Sequence, residues 1–370
     1  MKYKWGELIS LEYGKPVKDK AKADGKYPVF GTNGQIGTSD LPPLCNGSSF
    51  ILGRKGAYRG VHYSEVPFSV IDTAFYANNL HPELLNIKWA YYKFLTYDIN
   101  SMDRGSAIPS TDRYEIYGIE VDLPSVEEQQ RVVTLLECFD RKLLINEKIN
   151  ENLEQQAQAY FQELFVDNAD PEWTTGTISD LGTVVGGSTP SKAKPEYYTE
   201  TGIAWITPKD LSINKSKFVF HGENDITELG LKNSSAVIMP EGTVLFSSRA
   251  PIGYIAIAAG EVTTNQGFKS VVPKPEIGTP FVYFFLKNTL PVIEGMASGS
   301  TFKEVSGSTM KNVPAVIPDA ETLAKFSDFC APIFAQQRIL EEQNQSLATL
   351  RDNLLPKLMS GEIDVSAVQL

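Results

Sequence analysis

Basic side chains beside glycine and aromatic residues form the most chemically informative segment of this sequence. Residues 53–60 read Gly-Arg-Lys-Gly-Ala-Tyr-Arg-Gly, so Arg54, Lys55, Tyr58 and Arg59 share one short loop. An arginine can donate paired hydrogen bonds to a guanine edge or bind a phosphate. The competing interpretation is that each cation is a solvated turn charge or an internal salt-bridge partner. We predict that the loop contacts nucleic acid through Arg54 or Arg59.

A matching segment occurs in the second half of the chain. Residues 247–253 read Ser-Ser-Arg-Ala-Pro-Ile-Gly and place Arg249 where the first segment has Arg54. They hold no basic counterpart of Lys55 or Arg59. We therefore expect two binding segments that recognise different sequences.

Amide side chains supply a second group of candidates. Asn265 and Gln266 follow each other in a polar turn, and both side-chain types can pair with adenine. Lys209, close to Trp205, is a weaker candidate.

Small residues with nearby cations supply a third group. Arg104-Gly-Ser106 is followed by Arg113, and the corresponding segment of the second half ends at Lys303. Glycine-serine backbone beside a cation suits the positioning of a phosphate.

Signatures of catalysis are absent from the sequence. It contains no GxxxxGK[ST] phosphate loop, no GxSxG nucleophile turn and no HExxH zinc motif. The 3 histidines are isolated, and the 3 cysteines lie too far apart for a disulfide framework or a cysteine-rich zinc site. We expect no catalytic residue, metal or cofactor in this chain, and a diverged enzyme is the least favoured alternative.

The sequence repeats itself over a long period. Several short motifs recur 194 residues later: Gly105-Ser106 as Gly299-Ser300, Leu123-Pro124 as Ile317-Pro318, and Asn150-x-x-Leu153 as Asn344-x-x-Leu347. Arg54 and Arg249 are 195 residues apart, and at the start of the repeat Trp5 is paired with Trp173. We predict an internal duplication.

Each copy contains a globular part followed by a helical part. Residues 1–124 and 170–318 alternate short β-type runs with glycine- and proline-rich turns, whereas residues 125–169 and 319–370 have a helical pattern. The predicted fold class is α+β. It comprises two globular domains with small irregular β-sheets, joined by two long helices packed as an antiparallel coiled coil, with an internal pseudo-two-fold repeat.

Capping residues mark the beginnings of the helices. Ser125 and Glu128 form a capping box, and Asp319 is the expected N-cap of the second helix. Pro332 predicts a break or kink inside that helix, and Gly361 predicts its end.

Apolar residues recur every seven positions in both helical parts, which predicts a packed seam. Forty residues at about 1.5 Å each give a rod of roughly 60 Å. Buried Asn150 and Asn344 would fix the register and the partner at a cost in stability, unless both lie at the seam edge in water. The predicted seam comprises Leu136, Phe139, Leu143, Asn150, Leu153, Tyr160, Ile333, Leu340, Asn344, Leu347 and Leu354.

The net charge of −11 argues against a generic nucleic-acid binder. The excess lies mainly on the helical parts, because residues 126–169 hold 9 acidic and 4 basic side chains and residues 320–370 hold 7 and 4. The globular parts are nearer neutrality, so each can carry a local basic face. No apolar run approaches the roughly 20 residues of a membrane span, and we expect a cytoplasmic protein.

Several motifs resemble the specificity subunits of type I restriction-modification systems. The stretch from Phe139-Asp-Arg-Lys-Leu-Leu to Glu163-Leu-Phe165 is similar to the central conserved region of that family, and Leu354-Leu-Pro-Lys-Leu-Met-Ser-Gly-Glu-Ile363 to its C-terminal conserved region. Trp5-x-x-Leu-Ile-Ser10 and Gly187-Ser-Thr-Pro190 resemble the starts of its target recognition domains. The resemblance covers essentially the whole chain.

The resemblance implies target recognition domains at 1–124 and 170–318, a central conserved helix at 125–169, and a C-terminal conserved helix and tail at 319–370. Each domain would read one half of a bipartite target in double-stranded DNA, and the helices would set their distance and dock two methyltransferase subunits. S-adenosylmethionine, and ATP with Mg²⁺, would be bound by partner subunits, which can include a restriction and translocase subunit. The alternative is a two-module coiled-coil scaffold that binds no DNA.

Overall fold

The chain forms two compact units. The first comprises Met1–Leu143 and Ser346–Leu370, and the second comprises Leu144–Gln345. Each unit contains a globular region and a part of each of two long helices. The structure is a computed structural model, which describes residues 1–19, 24–102, 109–299 and 303–366. In those ranges no helix is both long and apolar enough to cross a membrane.

The globular region of the first unit consists of short elements that precede the first long helix. In chain order they are Lys2–Lys4 (β1), Trp5–Leu8 (α1), Ile9–Tyr13 (β2), Tyr27–Gly31 (β3), Gly34–Ser39 (β4), Ser49–Gly53 (β5), Val61–Ser64 (β6), Ser69–Val70 (β7), Ala74–Asn79 (β8), Ile87–Leu95 (α2), Arg113–Gly118 (α3), Glu120–Asp122 (β9) and the long helix Val126–Gln162 (α4). The main sheet is antiparallel with the order β2-β8-β5-β6. Beside it, β7 pairs in parallel with β3, and β1 pairs with β9.

The second globular region follows a π-helical turn at Glu163–Asp167. Its elements are Thr174–Thr177 (β10), Ile178–Leu181 (α5), Gly182–Gly186 (β11), Tyr198–Thr199 (β12), Trp205–Ile206 (β13), Pro208–Ile213 (α6), Phe218–Val219 (β14), Asp225–Ile226 (β15), Glu228–Lys232 (α7), Val244–Ser248 (β16), Ile252–Ala258 (β17), Thr263–Thr264 (β18), Lys269–Pro273 (β19), Thr279–Gly295 (α8), Gly307–Lys311 (α9), Pro314–Ile317 (β20) and the long helix Ala320–Ser360 (α10). Its main sheet has the order β11-β19-β16-β17-β14. Here β13 pairs in parallel with β18, and β10 pairs with β20.

The two globular regions share one topology. The order β2-β8-β5-β6 corresponds to β11-β19-β16-β17, and the parallel pair β3 and β7 corresponds to β13 and β18. The register agrees as well, since Leu52 lies opposite Phe75 and Ser247 lies opposite Phe268. The predicted duplication is therefore confirmed as a repeated fold.

The pairing proposed for the start of the repeat is wrong. Trp5 begins α1, but Trp173 precedes β10, and the equivalent short helix α5 begins at Ile178. Trp5 is fully buried, whereas Trp173 donates its indole N–H to Asp319 at 2.9 Å. Similar residues in similar contexts therefore have different structural roles.

The long helices begin where their caps predict. The Ser125 backbone N–H donates to Glu128 Oε2 at 2.9 Å, and Asp319 Oδ1 accepts from the Thr322 backbone N–H at 2.8 Å. The predicted break at Pro332 is wrong, because α10 continues through it to Ser360. Pro332 lies on the exposed side of α10, where water can bond to a carbonyl that the proline leaves without a donor.

Each unit has a hydrophobic cluster that joins its globular region to its parts of both long helices. In the first unit the cluster includes Phe50 and Trp89 together with Leu136 of α4 and Leu358 of α10. The second unit repeats the arrangement; its cluster includes Phe246, Phe284, Phe161 of α4 and Ile333 of α10. The globular regions are therefore not separate domains on flexible tethers.

The long helices run antiparallel in the second unit. Asn146 donates its side-chain N–H to Asn344 Oδ1 at 2.8 Å, and Gln337 donates to the Asn150 backbone carbonyl at 3.1 Å. Asn146 is fully buried, whereas the predicted pair Asn150 and Asn344 are both half-buried. Asn150 is only half-buried and contacts α10 through its backbone.

The residues of the predicted seam differ in burial. Leu136, Ile333 and Leu340 are buried. The remaining predicted members are partly buried: Phe139, Leu143, Leu153, Tyr160, Asn344, Leu347 and Leu354.

A buried lysine ties the second globular region to both helices. Lys217 forms an ion pair with Glu154 of α4 and donates to Gln337 Oε1 of α10 at 2.6 Å. Lys287 of α8 also contacts Glu154, at 2.5 Å. Burial would raise the pKa of the Glu154 carboxyl, but the two lysines outweigh that effect and lower it. The glutamate is therefore held charged between two cations.

We expect Asn146→Ala to lower the free energy of unfolding by about 1–2 kcal/mol, since the Asn344 side chain loses a buried partner. Urea denaturation of the full chain measures this. Asn152→Ala is the matched control, because Asn152 is exposed on the same helix and bonds only to Gln156 among the contacts described. Equal stability of the two variants would show that the asparagine pair does not stabilise the seam.

Candidate nucleic-acid interface

The predicted Arg54 lies at the end of the fully buried strand β5. Its backbone N–H donates to the Thr73 carbonyl at 2.8 Å, and its carbonyl accepts from Thr111 at 2.9 Å. The guanidinium carbon lies 4.8 Å from the centre of the Tyr13 ring, and Nη1 donates to the Asp72 carbonyl at 3.0 Å. The side chain is half-exposed, so its position is fixed while it remains open to a ligand.

A second predicted cation, Arg113, also lies against the Tyr13 ring. The Arg113 guanidinium, at the first position of α3, lies 5.0 Å from the Tyr13 ring and 5.0 Å from the Tyr114 ring. Lys55 is exposed, and Tyr58 is 64% exposed. Two arginines within about 5 Å of one aromatic ring concentrate positive charge there, which suits a phosphate or a guanine edge. We call Arg54, Arg113 and Tyr13 the first site.

Arg59 is a correction to the predicted contacts. It is only 2% exposed, and its Nη2 donates to the carbonyls of Ile99 at 3.1 Å and Asn100 at 2.7 Å. The loop passes so close to β5 that a Cβ on Gly53 would lie 2.8 Å from the Arg59 Cα. Arg59 therefore holds this part of the fold together and is not available to DNA.

The second unit brings four predicted residues to one cavity. Lys209, Arg249, Asn265 and Gln266 line a cavity of about 660 Å³, which we call the second site. Its wall also includes Tyr198 and Trp205, which sequence reasoning did not select, together with Thr189, Lys192, Thr207, Pro208, Asp210, Glu223, Asn224, Ala250 and Gly267.

The resemblance motif Gly187-Ser-Thr-Pro190 forms one edge of this second site. A Cβ on Gly187 would lie 2.0 Å from the Asn265 carbonyl oxygen, so only glycine fits there. The Thr189 hydroxyl donates to Gln266 Oε1, and Asn265 Oδ1 accepts from the Gly267 backbone at 2.8 Å. Both amide oxygens therefore have partners in the protein, which leaves the side-chain NH₂ groups as the donors that these residues can offer a ligand.

Two cations of the second site are paired with carboxylates. Lys209 lies 2.5 Å from Glu223. Arg249 Nη1 lies 3.4 Å from Glu304 Oε2, and Lys269 lies 3.7 Å from Glu304 Oε1. Burial lowers the pKa of the Lys269 ammonium, and Glu304 partly opposes that shift. Neither Glu304 nor Lys269 belongs to a sequence motif that would have identified it.

Lys303 lies beside this arrangement, and the remaining candidates are outside the described ranges. Lys303 lines a neighbouring cavity of about 630 Å³ together with Arg249, Glu294 and Glu304. Arg104 and Ser106 lie outside the described residues. The matched arginines are confirmed as equivalents in the fold, because Arg54 directly follows β5 and Arg249 directly follows β16.

The chain therefore contains two copies of one α+β region, each packed on a helix pair and each with an arginine directly after the same strand. The family described as type I restriction modification DNA specificity domain matches residues 1–155 and 171–350. The chain therefore belongs to this family.

Individual relatives agree with this assignment. The chain is 39% identical over 191 residues to the type I restriction enzyme MjaIX specificity subunit of Methanocaldococcus jannaschii, across 49% of this chain and 44% of that protein. It is 23% identical over 367 residues to the EcoR124I/EcoR124II specificity subunit of Escherichia coli, across 91% of this chain and 84% of that protein. The match to the first relative spans less than half of that relative's length.

A solved structure shares the fold. The S subunit of a type I restriction-modification system from M. genitalium matches with a TM-score of 0.64 at 19% identity, covering 97% of this chain and 95% of that one. We call the two globular regions the first and second readers from here on.

We expect Arg54→Ala to reduce DNA affinity by about 1–3 kcal/mol with little effect on stability, because the side chain is half-exposed. Arg59→Met should instead lower the free energy of unfolding by about 2 kcal/mol, since two carbonyls lose a donor. Fluorescence anisotropy with duplex DNA and urea denaturation separate the two effects. A stable Arg59→Met chain, or an Arg54→Ala chain with normal affinity, would contradict the assignment.

Proposed function

We propose that the chain reads a bipartite double-stranded DNA target, one half with each reader, and docks two methyltransferase subunits. The observation that carries this proposal is the matched arginine after β5 and β16 within two readers of the same topology. The surroundings differ, because Arg54 lies on an aromatic ring and Arg249 beside a carboxylate. Equivalent placement with different chemistry suits two half-sites of different sequence.

The chemistry of modification is assigned to the partner subunits. The methyltransferases would bind S-adenosylmethionine, and a restriction and translocase subunit, where present, would bind ATP with Mg²⁺. The chain contributes the choice of site. Family membership favours this role over that of a scaffold that binds no DNA.

The distribution of charge in this chain suggests that the methyltransferase subunits also contribute to DNA affinity. Most of the acidic excess lies in residues 126–169 and 320–370, and a smaller part lies in residues 170–319, which hold 15 acidic and 12 basic side chains. Acidic surfaces repel the phosphate backbone, which supplies much of the affinity of DNA-binding proteins. We infer that the methyltransferase subunits provide part of the positive charge that faces the DNA.

The docking surface we propose is an apolar stretch on the outside of the helices in the second unit. Leu144, Ile145 and Ile149 of α4 are 49%, 45% and 40% exposed, and Ile339 of α10 is 47% exposed. Ile145 and Ile149 are one helical turn apart, so their side chains are neighbours on one face. Two neighbouring exposed isoleucines on an otherwise polar face, with Leu144 and Ile339 also exposed, are typical of a protein contact.

Deleting the gene should abolish adenine methylation at one split DNA motif, and sequencing the methylome of the host with and without the gene measures this. A strain that carries Arg54→Ala should lose recognition of the bases in one half of the motif only, and methylation of the motif should fall accordingly. An unchanged methylome after deletion would contradict the proposed function. An equal loss of base specificity in both halves of the motif in the Arg54→Ala strain would contradict the proposal that each reader recognises one half.

The variant Ile145→Lys with Ile149→Lys should weaken assembly with the methyltransferase at least about tenfold, because lysine cannot fill an apolar contact. Size-exclusion chromatography with light scattering on the co-expressed proteins reports the assembly. Leu229→Lys is the matched control, because Leu229 is 49% exposed on α7, away from the long helices. Normal assembly of the double variant would place the docking surface elsewhere.

A further inference from the structure

The matched arginines of the two readers are held in different ways. Arg54 lies against Tyr13 and bonds to a backbone carbonyl, and none of the described ion pairs includes it. Arg249 pairs with Glu304, which also faces Lys269. The position 194 residues before Glu304 is Ser110, a side chain without charge. The first reader therefore has no carboxylate at the position that corresponds to Glu304 in the repeat.

The backbone places Glu304 beside Arg249. Glu304 and Ser298 exchange two backbone hydrogen bonds, of 2.9 and 3.1 Å. The next residue, Val305, is fully buried and donates its N–H to the Ser248 carbonyl at 2.9 Å, at the end of β16. Arg249 directly follows Ser248, so the segment with the carboxylate is fixed to the strand that positions the arginine.

The charges around Arg249 oppose a simple phosphate contact. Arg249 lines the cavity of the second site and the neighbouring cavity, and Glu304 lines the neighbouring one together with Lys303. A phosphate that approaches Arg249 from that cavity meets the Glu304 carboxylate at the same place. Half-exposed ion pairs are weak enough to be exchanged when a ligand supplies compensating contacts.

We propose that Glu304 is a specificity-determining residue of the second reader. It holds Arg249 and Lys269 when no cognate DNA is bound, and so lowers affinity for non-cognate duplex. A cognate half-site replaces the carboxylate as the partner of Arg249, because its bases also contact the Asn265 and Gln266 amides in the cavity that Arg249 shares with them. This inference rests on the proposed function, since it concerns how the same site discriminates among DNA sequences.

The first test compares Glu304→Gln with the wild-type full chain on a fluorescent 30-base-pair duplex of random sequence. Removing the carboxylate should tighten this binding a few-fold. It should also make the slope of log affinity against log salt concentration more negative by about one, because each added phosphate contact contributes about −0.9 to that slope. Glu228→Gln is the matched control, because it removes the same charge at an exposed residue that pairs with Lys232 and lines neither cavity.

A double-variant cycle assigns the effect to the arginine. If Glu304 acts by holding Arg249, then Glu304→Gln should change random-duplex affinity much less in an Arg249→Ala chain. Equal affinity of Glu304→Gln and Glu228→Gln, or an effect that persists undiminished without Arg249, would overturn the proposal.

A second measurement needs no DNA. Phenylglyoxal modifies accessible guanidinium groups, and mass spectrometry gives the rate at each arginine. Arg249 should react several-fold faster in Glu304→Gln than in the wild type, while Arg54 in the same chain should react at an unchanged rate. Unchanged labelling of Arg249 would overturn the proposal. If Arg249 labelling is unchanged but the split motif is still methylated, the role of Glu304 is refuted while the proposed function is retained.

Discussion

The hydrophobic core that each reader shares with both long helices is the constraint on which the rest of the structure depends. In the first unit Trp89 of α2 belongs to the same cluster as Leu136 and Leu358. In the second, Phe284 of α8 belongs with Phe161 and Ile333. Burial of large apolar side chains is the main favourable term in folding, so neither a reader nor its helices can be removed without exposing that core.

Polar groups in the second unit determine the helix register and the position of the reader, which apolar contacts alone do not determine. Apolar side chains tolerate sliding, whereas buried charges and amides are satisfied in few arrangements. Asn146 with Asn344 sets the helix register, and Lys217 between Glu154 and Gln337 sets the reader against both helices. The binding cavity belongs to that same reader. The position of the second site thus depends on interactions made far from it in sequence.

Sequence reasoning predicted the features that depend on local chemistry or on the repeat. The caps at Ser125 and Asp319 and the equivalence of Arg54 with Arg249 are of this kind. It failed for Arg59, because the carbonyls that receive its guanidinium lie 40 and 41 residues away in the chain. Asn146 and Asn150 are one helical turn apart on α4, so their spacing alone does not tell which of them is more buried. Glu304 had no motif because its role comes from a neighbour 55 residues away.

The aliphatic side chains exposed on the long helices have a consequence for the life of the protein in the cell. An unassembled chain presents Leu144, Ile145, Ile149 and Ile339 to water, and such surfaces promote self-association as concentration rises. With the docking surface proposed above, chains without a methyltransferase would be the ones that chaperones and proteases remove. The abundance of usable chain would then follow the supply of that partner, and synthesis of the two would need to be matched.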